Sequence, residues 1–128
     1  MGFAFVDTNI LVYAVGREHP LREPAQVLLR ERLERKVPMA TSAEVLQELL
    51  NVYLPVGRDQ TLEAALRLAG DLMTVWPVDG ADVLAALDLA VSQPGLGARD
   101  LVHLAVCRRY DVDELLSFDR ALVAAFGG

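Results

Sequence analysis

Residues 3–14 read FAFVDTNILVYA, a short apolar run followed directly by an acidic residue and a second apolar segment. The run at residues 3–6 is typical of a buried strand, and it ends abruptly at Asp7. Residues 8–15 then predict a short helix, for which Gly16 is a suitable C-terminal cap. The beginning of the chain therefore predicts a strand, an aspartate at its carboxyl end, and a helix.

The same alternation of strands and helices continues along the rest of the chain. Further strands are predicted at residues 37–40, 75–78 and 115–117, and helices at residues 21–36, 41–54, 59–73, 79–92, 98–110 and from 119 onward. Strands that alternate with helices predict a parallel sheet covered on both faces. We therefore expect one α/β domain over residues 1–128, a three-layer sandwich whose short, mainly parallel central sheet is flanked by helices.

The start of the third predicted helix is indicated by a capping pattern. Thr41 and Glu44 have the spacing of a capping box, in which Thr41 would cap the helix and Glu44 would bond back to it. A comparable structural role in helix starts is expected for Asp59 and Asp79.

Composition limits the classes of function. The chain has 18 acidic and 12 basic residues, a net charge of −6, which argues against a protein that coats nucleic acid by bulk electrostatics. A hydrophobic fraction of 53% suggests that some apolar surface is buried against another chain. Cys107 is the only cysteine, and no signal peptide or membrane-spanning run is recognisable, so a cytoplasmic protein without an intramolecular disulfide is expected.

Four acidic residues fall at positions where a parallel sheet gathers its ligands, the carboxyl ends of the strands. Asp7 follows the first predicted strand and Asp119 follows the last, while Asp100 lies at the start of a helix after a Pro-Gly loop. Glu48 lies on the helix after the second strand, at the edge of its apolar arc. Each aspartate has an alternative explanation as a helix cap or first-turn residue, and Glu44 is the fallback for Glu48.

Carboxylates gathered at one edge need a counter-charge, since like charges oppose each other's ionisation. Oxygen ligands of this kind suit Mg²⁺ or Mn²⁺ rather than zinc. Such a metal can polarise a phosphate oxygen and lower the pKa of a bound water. The hydrolysis of a phosphodiester is therefore the reaction that this set of residues favours.

Four segments carry a resemblance to a known family: FVDTNILVYA (5–14), TSAEVLQELLNV (41–52), ARDLVHLA (98–105) and LLSFDR (115–120). In order and spacing they resemble the PIN-domain family, and more narrowly the VapC-type toxins of prokaryotic toxin–antitoxin pairs. The resemblance implies a metal-dependent endoribonuclease that acts on RNA. It also implies two protein partners, a second copy of the chain and a cognate antitoxin that holds it inactive.

The resemblance also implies which residues form the site. Asp7, Glu48, Asp100 and Asp119 would be the catalytic acids. Of these, Asp7, Asp100 and Asp119 would hold the metal, Asp119 either directly or through a water. The polar residues Asn9 and Ser117 would support the site, Asn9 by orienting a carboxylate or water and Ser117 by bonding to the water shell of the metal.

Three further residues have two interpretations each. His103, three residues after Asp100, is expected to be a hydrogen-bonded structural histidine, the alternative being a residue that contacts RNA or tunes the site. Arg99 and Arg120 flank two of the acids and would either contact phosphates or form surface salt bridges.

Two other functions stay open at this point. An aspartate at the end of the first strand also serves as the nucleophile of phosphatases and phosphotransfer domains. The haloacid-dehalogenase type would need a second aspartate at the position of Asn9. The remaining alternative is a non-catalytic binding protein of the same fold.

Overall fold

The computed structural model describes residues 2–128. Four strands form one sheet: β1 (Ala4–Val6), β2 (Met39–Ser42), β3 (Thr74–Trp76) and β4 (Glu114–Leu116). The α-helices in these residues are α1 (Thr8–Val15), α2 (Arg22–Glu34), α3 (Ala43–Tyr53), α4 (Asp59–Leu72), α5 (Gly80–Ser92), α6 (Ala98–Arg109) and α7 (Arg120–Gly127). The strand order is β3-β2-β1-β4 and every neighbouring pair is parallel, which confirms the predicted α/β architecture.

The strand boundaries differ from the prediction where prolines interrupt the hydrogen-bond ladder. β2 begins at Met39 instead of residue 37 because Pro38 has no N–H to donate, although its carbonyl accepts from the Ala4 N–H. For the same reason β3 ends at Trp76, before Pro77, instead of continuing to residue 78. β4 ends at Leu116, one residue earlier than predicted, which leaves Ser117 just beyond the strand end.

The predicted capping box at the start of α3 is wrong. Ser42 is the N-cap of α3, and its side chain accepts a hydrogen bond from the Val45 N–H at 3.3 Å. Thr41 is a buried strand residue whose hydroxyl donates to the Val6 carbonyl at 2.9 Å. Because β2 extends further than expected, the helix starts later and Glu44 has no capping role. Asp79 does cap α5, in a capping box with Asp82.

Apolar residues lie both in the core, as in β1, and at the surface, as on α5. β1 lies between β2 and β4 and is fully buried, as its apolar run predicts. An apolar row of α5 instead lies at the surface: Val83, Leu84, Leu87 and Val91 are 54%, 68%, 68% and 86% exposed. Part of the high apolar content of the sequence is therefore exposed on α5. Within residues 2–128, no helix combines the length and apolar character needed to cross a bilayer.

Candidate active site at the carboxyl edge of the sheet

Asp7 occupies the connection between β1 and α1 and combines two roles. Its side chain caps α1 by accepting from the Thr8 N–H at 2.8 Å, so the helix-cap interpretation is correct. Its second oxygen accepts a hydrogen bond from the Ser117 hydroxyl at 2.7 Å. Burial raises the pKa of Asp7, against the opposing effects of His103 and of these hydrogen bonds. The carboxylate is therefore rigidly held but costly to ionise.

Glu48 reaches this edge from α3 and is held by two side chains. Its Oε2 accepts from the Thr8 hydroxyl at 2.9 Å, and its Oε1 lies 2.5 Å from Nε2 of His103. Burial acts to raise the pKa of Glu48, but the hydrogen bond and the charge of His103 leave it below its usual range. Glu48 is thus an oriented and readily ionised carboxylate.

His103 lies beneath the acids and is 1% exposed. Its Nε2 is also 3.7 Å from Oδ1 of Asp7, so the imidazole lies between two carboxylates. Burial acts to lower the pKa of His103, but the hydrogen bond to Glu48 and the charge of Asp7 leave it raised. The hydrogen-bonded histidine expected from the sequence is therefore present, and its partner is one of the predicted acids. The spacing of three residues on one helix predicts only that His103 lies near Asp100.

Asp100, in the first turn of α6, completes the group together with Asp119. Burial raises the pKa of Asp100 to about 6, and the charges of Asp119, Asp7 and Glu48 act in the same direction. Asp119 caps α7 by accepting from the Leu122 N–H at 3.1 Å. All four predicted acids thus converge at one edge of the sheet, although they come from distant segments of the chain.

Asn9 and Ser117 connect the two ends of this group. The Ser117 hydroxyl donates to Asp7 and accepts from the Asn9 amide at 3.2 Å and from the Asp119 N–H at 3.0 Å. The Asn9 side-chain oxygen accepts from the Phe118 N–H at 3.1 Å. The connection after β4 is therefore fastened to the connection after β1, which sets the spacing between Asp7 and Asp119.

Arg99 and Arg120 both lie exposed next to the acids. No salt bridge of either arginine is found within residues 2–128, so the salt-bridge interpretation has no support in these residues. Arg99 also lines a cavity of about 200 Å³, together with Glu48 and the fallback acid Glu44. Glu48, rather than Glu44, is the acid that contacts the other residues at this edge.

The donor set fits Mg²⁺ or Mn²⁺ in charge and chemistry. Residues 2–128 contain no ready-made cage of three or more His, Cys, Asp or Glu side chains for a metal ion. Magnesium rarely uses such a cage, because it is commonly held by one or two carboxylates, waters and the phosphates of the substrate. Burial, followed by the charges of Asp119, Asp7 and Glu48, raises the pKa of Asp100, and a divalent cation at this edge would favour the ionised carboxylate.

The fold and the four acids at its carboxyl edge agree with the PIN-domain class that the sequence resembles, and comparison with known proteins supports this class. The family model described as PIN domain matches residues 4–126, and this chain belongs to that family. It is 54% identical over 122 residues to Ribonuclease VapC23 of Mycobacterium tuberculosis, which covers 95% of this chain and 97% of the relative. The resemblance to VapC-type PIN toxins is thereby confirmed.

Two solved structures have a similar fold. One is VapC20 of Mycobacterium tuberculosis, described as a toxin that cleaves the sarcin-ricin loop; it is 21% identical with a TM-score of 0.79, over 95% of this chain and 94% of that one. The other is VapBC2 of Rickettsia felis bound to a DNA fragment from its promoter, 16% identical with a TM-score of 0.61, over 91% of this chain and 99% of that one. At these identities the two structures support the fold alone.

Proposed function

We propose that this chain is the endoribonuclease toxin of a type II toxin–antitoxin pair, and that it hydrolyses RNA phosphodiesters with Mg²⁺ or Mn²⁺. The observation that carries the proposal is the convergence of Asp7, Glu48, Asp100 and Asp119 at the carboxyl edge of the sheet. The ribonuclease names of its relatives support the same reaction.

In the proposed mechanism the side chains differ in their tasks. Asp7, Asp100 and Asp119 would hold the metal, Asp119 directly or through a water. A bound divalent cation supplies the charge that polarises a phosphate oxygen and lowers the pKa of a water. Both Glu48 oxygens already accept hydrogen bonds from protein side chains, so Glu48 is suited to orienting the attacking water.

The remaining polar side chains of the site orient Asp7 or bind the RNA substrate. Asn9 and Ser117 keep the Asp7 carboxylate in one orientation through their hydrogen bonds. Arg99 and Arg120 lie exposed at the same edge and hold the phosphates of the RNA chain. Positive charge at these two positions offsets, locally, the net charge of −6 of the protein.

The mechanism predicts a strict requirement for a divalent cation. Purified protein should cleave RNA in Mg²⁺ or Mn²⁺, stop when EDTA is added, and recover when the metal is restored. An Asp7→Asn protein purified in parallel reports any contaminating nuclease and should be inactive. Cleavage that persists in EDTA contradicts the mechanism, and a covalent phosphate trapped on Asp7 would support the aspartyl-nucleophile alternative instead.

Two protein partners are part of the proposal. The first is a cognate antitoxin, which is supported by the similar fold of the VapBC2 structure of Rickettsia felis. The second is another copy of this chain, because a row of apolar side chains on α5 is unusually exposed for a monomer. Leu84 and Leu87, each 68% exposed, lie at the centre of that row.

The proposed dimer predicts that a charge on α5 separates the two copies. Leu87→Glu should convert a dimer to a monomer of 14.0 kDa, measured by light scattering during gel filtration, because a buried unpaired carboxylate is costly. Val56→Glu is the matched control, since Val56 is 65% exposed but lies outside α5. A Leu87→Glu protein that remains dimeric would place the interface elsewhere.

A further inference from the structure

A polar cavity of about 200 Å³ adjoins the acidic edge of the sheet. It is lined by Glu44, Gln47, Glu48 and Asn51 of α3 and by Arg99 of α6. Glu48 belongs both to the cavity and to the group of acids, and Arg99 directly precedes Asp100. A ligand in this cavity would therefore lie next to the reacting phosphate.

The lining residues follow from the geometry of α3. Glu44 and Glu48 are four residues apart, as are Gln47 and Asn51, so the two pairs form adjacent rows on one helix face. On other helices such rows hold internal ion pairs, as between Arg67 and Glu63 of α4 at 2.8 Å. No hydrogen bond or ion pair within residues 2–128 involves the side chains of Glu44, Gln47, Asn51 or Arg99.

The chemistry of the lining fits a single nucleobase. Each amide presents one donor and one acceptor side by side, which is the pattern with which Asn and Gln bind base edges. A volume of about 200 Å³ is below the usual range of pockets for drug-sized ligands, about 300–1,000 Å³. Proteins that read single-stranded RNA bind unstacked bases by hydrogen bonds to these edges.

Glu44 makes the cavity selective among the bases. An ionised carboxylate accepts hydrogen bonds and donates none, so it favours the exocyclic amines of adenine, cytosine and guanine. Uracil has a carbonyl oxygen where adenine and cytosine carry the exocyclic amine, so at that position it would face the carboxylate with like partial charge. The acid therefore discriminates against uracil by repulsion as well as by a missing hydrogen bond.

We propose that this cavity binds one unstacked nucleobase next to the scissile phosphate, and that it favours bases with an exocyclic amine over uracil. The role as a substrate pocket rests on the proposed ribonuclease function. Gln47 and Asn51 bind the base edge, Glu44 selects the amine, and Arg99 contacts the adjoining phosphate.

The test measures binding separately from cleavage. Labelled oligoadenylate, oligocytidylate and oligouridylate of equal length, on the order of ten nucleotides, are titrated with an Asp100→Asn protein in Mg²⁺ at low salt, and fluorescence anisotropy is recorded. Oligoadenylate and oligocytidylate should bind about tenfold more tightly than oligouridylate. Adding Glu44→Gln should bring this ratio close to one, because an amide can also donate to a carbonyl. The charge-matched control Glu34→Gln, exposed on α2, should leave the ratio unchanged.

The outcomes distinguish this inference from the proposed function. Equal or undetectable binding of the three oligonucleotides overturns the base pocket, as does a ratio that Glu44→Gln does not change. Metal-dependent cleavage by the unmodified protein would still support the ribonuclease in that case. Conversely, base discrimination in a protein that cleaves no RNA would overturn the proposed function and leave the cavity as a base-binding site.

Discussion

An Asp100→Asn protein is expected to lose RNA cleavage by on the order of a thousandfold and yet to unfold less readily at pH 7. The loss follows from the proposed role of the carboxylate in holding the metal. The gain in stability follows from its surroundings, because burial and the charges of Asp119, Asp7 and Glu48 raise the pKa of Asp100 to about 6. At pH 7 the folded protein therefore carries a carboxylate that is less stable than in the unfolded chain.

The raised pKa of Asp100 determines how its contribution to stability depends on pH. The folded pKa of Asp100 lies above the unfolded value of 3.8, so its contribution to stability is complete below pH 3.8 and is lost as the pH rises through about 6. After allowance for partial exposure, we expect Asp100→Asn to raise the free energy of unfolding at pH 7 by about 1–2 kcal/mol. The advantage should shrink toward pH 4.

Urea unfolding at pH 7 and pH 4 measures this difference. Asp71→Asn, on the exposed face of α4, is the matched control and should change the free energy of unfolding by less than about 0.5 kcal/mol. Mg²⁺ should stabilise the unmodified protein more than the Asp100→Asn protein, because the variant has less charge for the cation to neutralise. If Asp100→Asn were destabilised at pH 7 and fully active, Asp100 would have neither the electrostatic environment nor the role proposed for it.

A His103→Ala protein is expected to lose both stability and cleavage. The substitution removes a fully buried ring and the hydrogen-bond donor to Oε1 of Glu48, and it leaves Glu48 and Asp7 without their shared positive charge. Together these effects should lower the free energy of unfolding by about 3 kcal/mol. Cleavage by the fraction that remains folded should fall by about ten- to a hundredfold, as when supporting residues of a metal site are lost.

The pH dependence of the destabilisation tests whether the His103–Glu48 pair causes it. The raised pKa of His103 contributes stability that is complete below pH 6.5 and is lost as the pH rises further. The lowered pKa of Glu48 contributes stability that is complete above pH 4.5 and is lost at lower pH. The destabilisation by His103→Ala should therefore be largest between these two values.

A conservative variant separates positioning of the carboxylate from packing. His103→Gln retains a donor near the position of Nε2 and should recover more cleavage than His103→Ala, measured as kcat/KM on protein shown to be folded by circular dichroism. Leu104→Ala tests packing alone, because Leu104 is equally buried on the same helix and packs in a hydrophobic cluster with Leu122 and Ala125. Full cleavage by folded His103→Ala would show that His103 does not position Glu48 for the reaction.

The sequence alone was sufficient to predict the class of fold and the edge at which the acids meet. The alternation of apolar runs with amphipathic segments predicts parallel strands connected by helices. Asp7 directly follows the first predicted strand and Asp119 follows the last, and the ends of neighbouring parallel strands lie at the same edge of the sheet. Helix periodicity also favours Glu48 over Glu44, whereas the capping box predicted from Thr41 and Glu44 is wrong.

Only the tertiary structure determined the boundaries and partners of these residues. The end of β2 and the cap at Ser42 depend on pairing with Thr74 and Trp76, which lie more than thirty residues away in sequence. The bridge from His103 to Glu48 and Asp7 joins three elements, and local periodicity carries no information on such contacts. Strand ends and helix faces thus determine where the four acids lie. Their charge balance depends on His103, a buried residue that long-range packing brings into contact with Glu48 and Asp7.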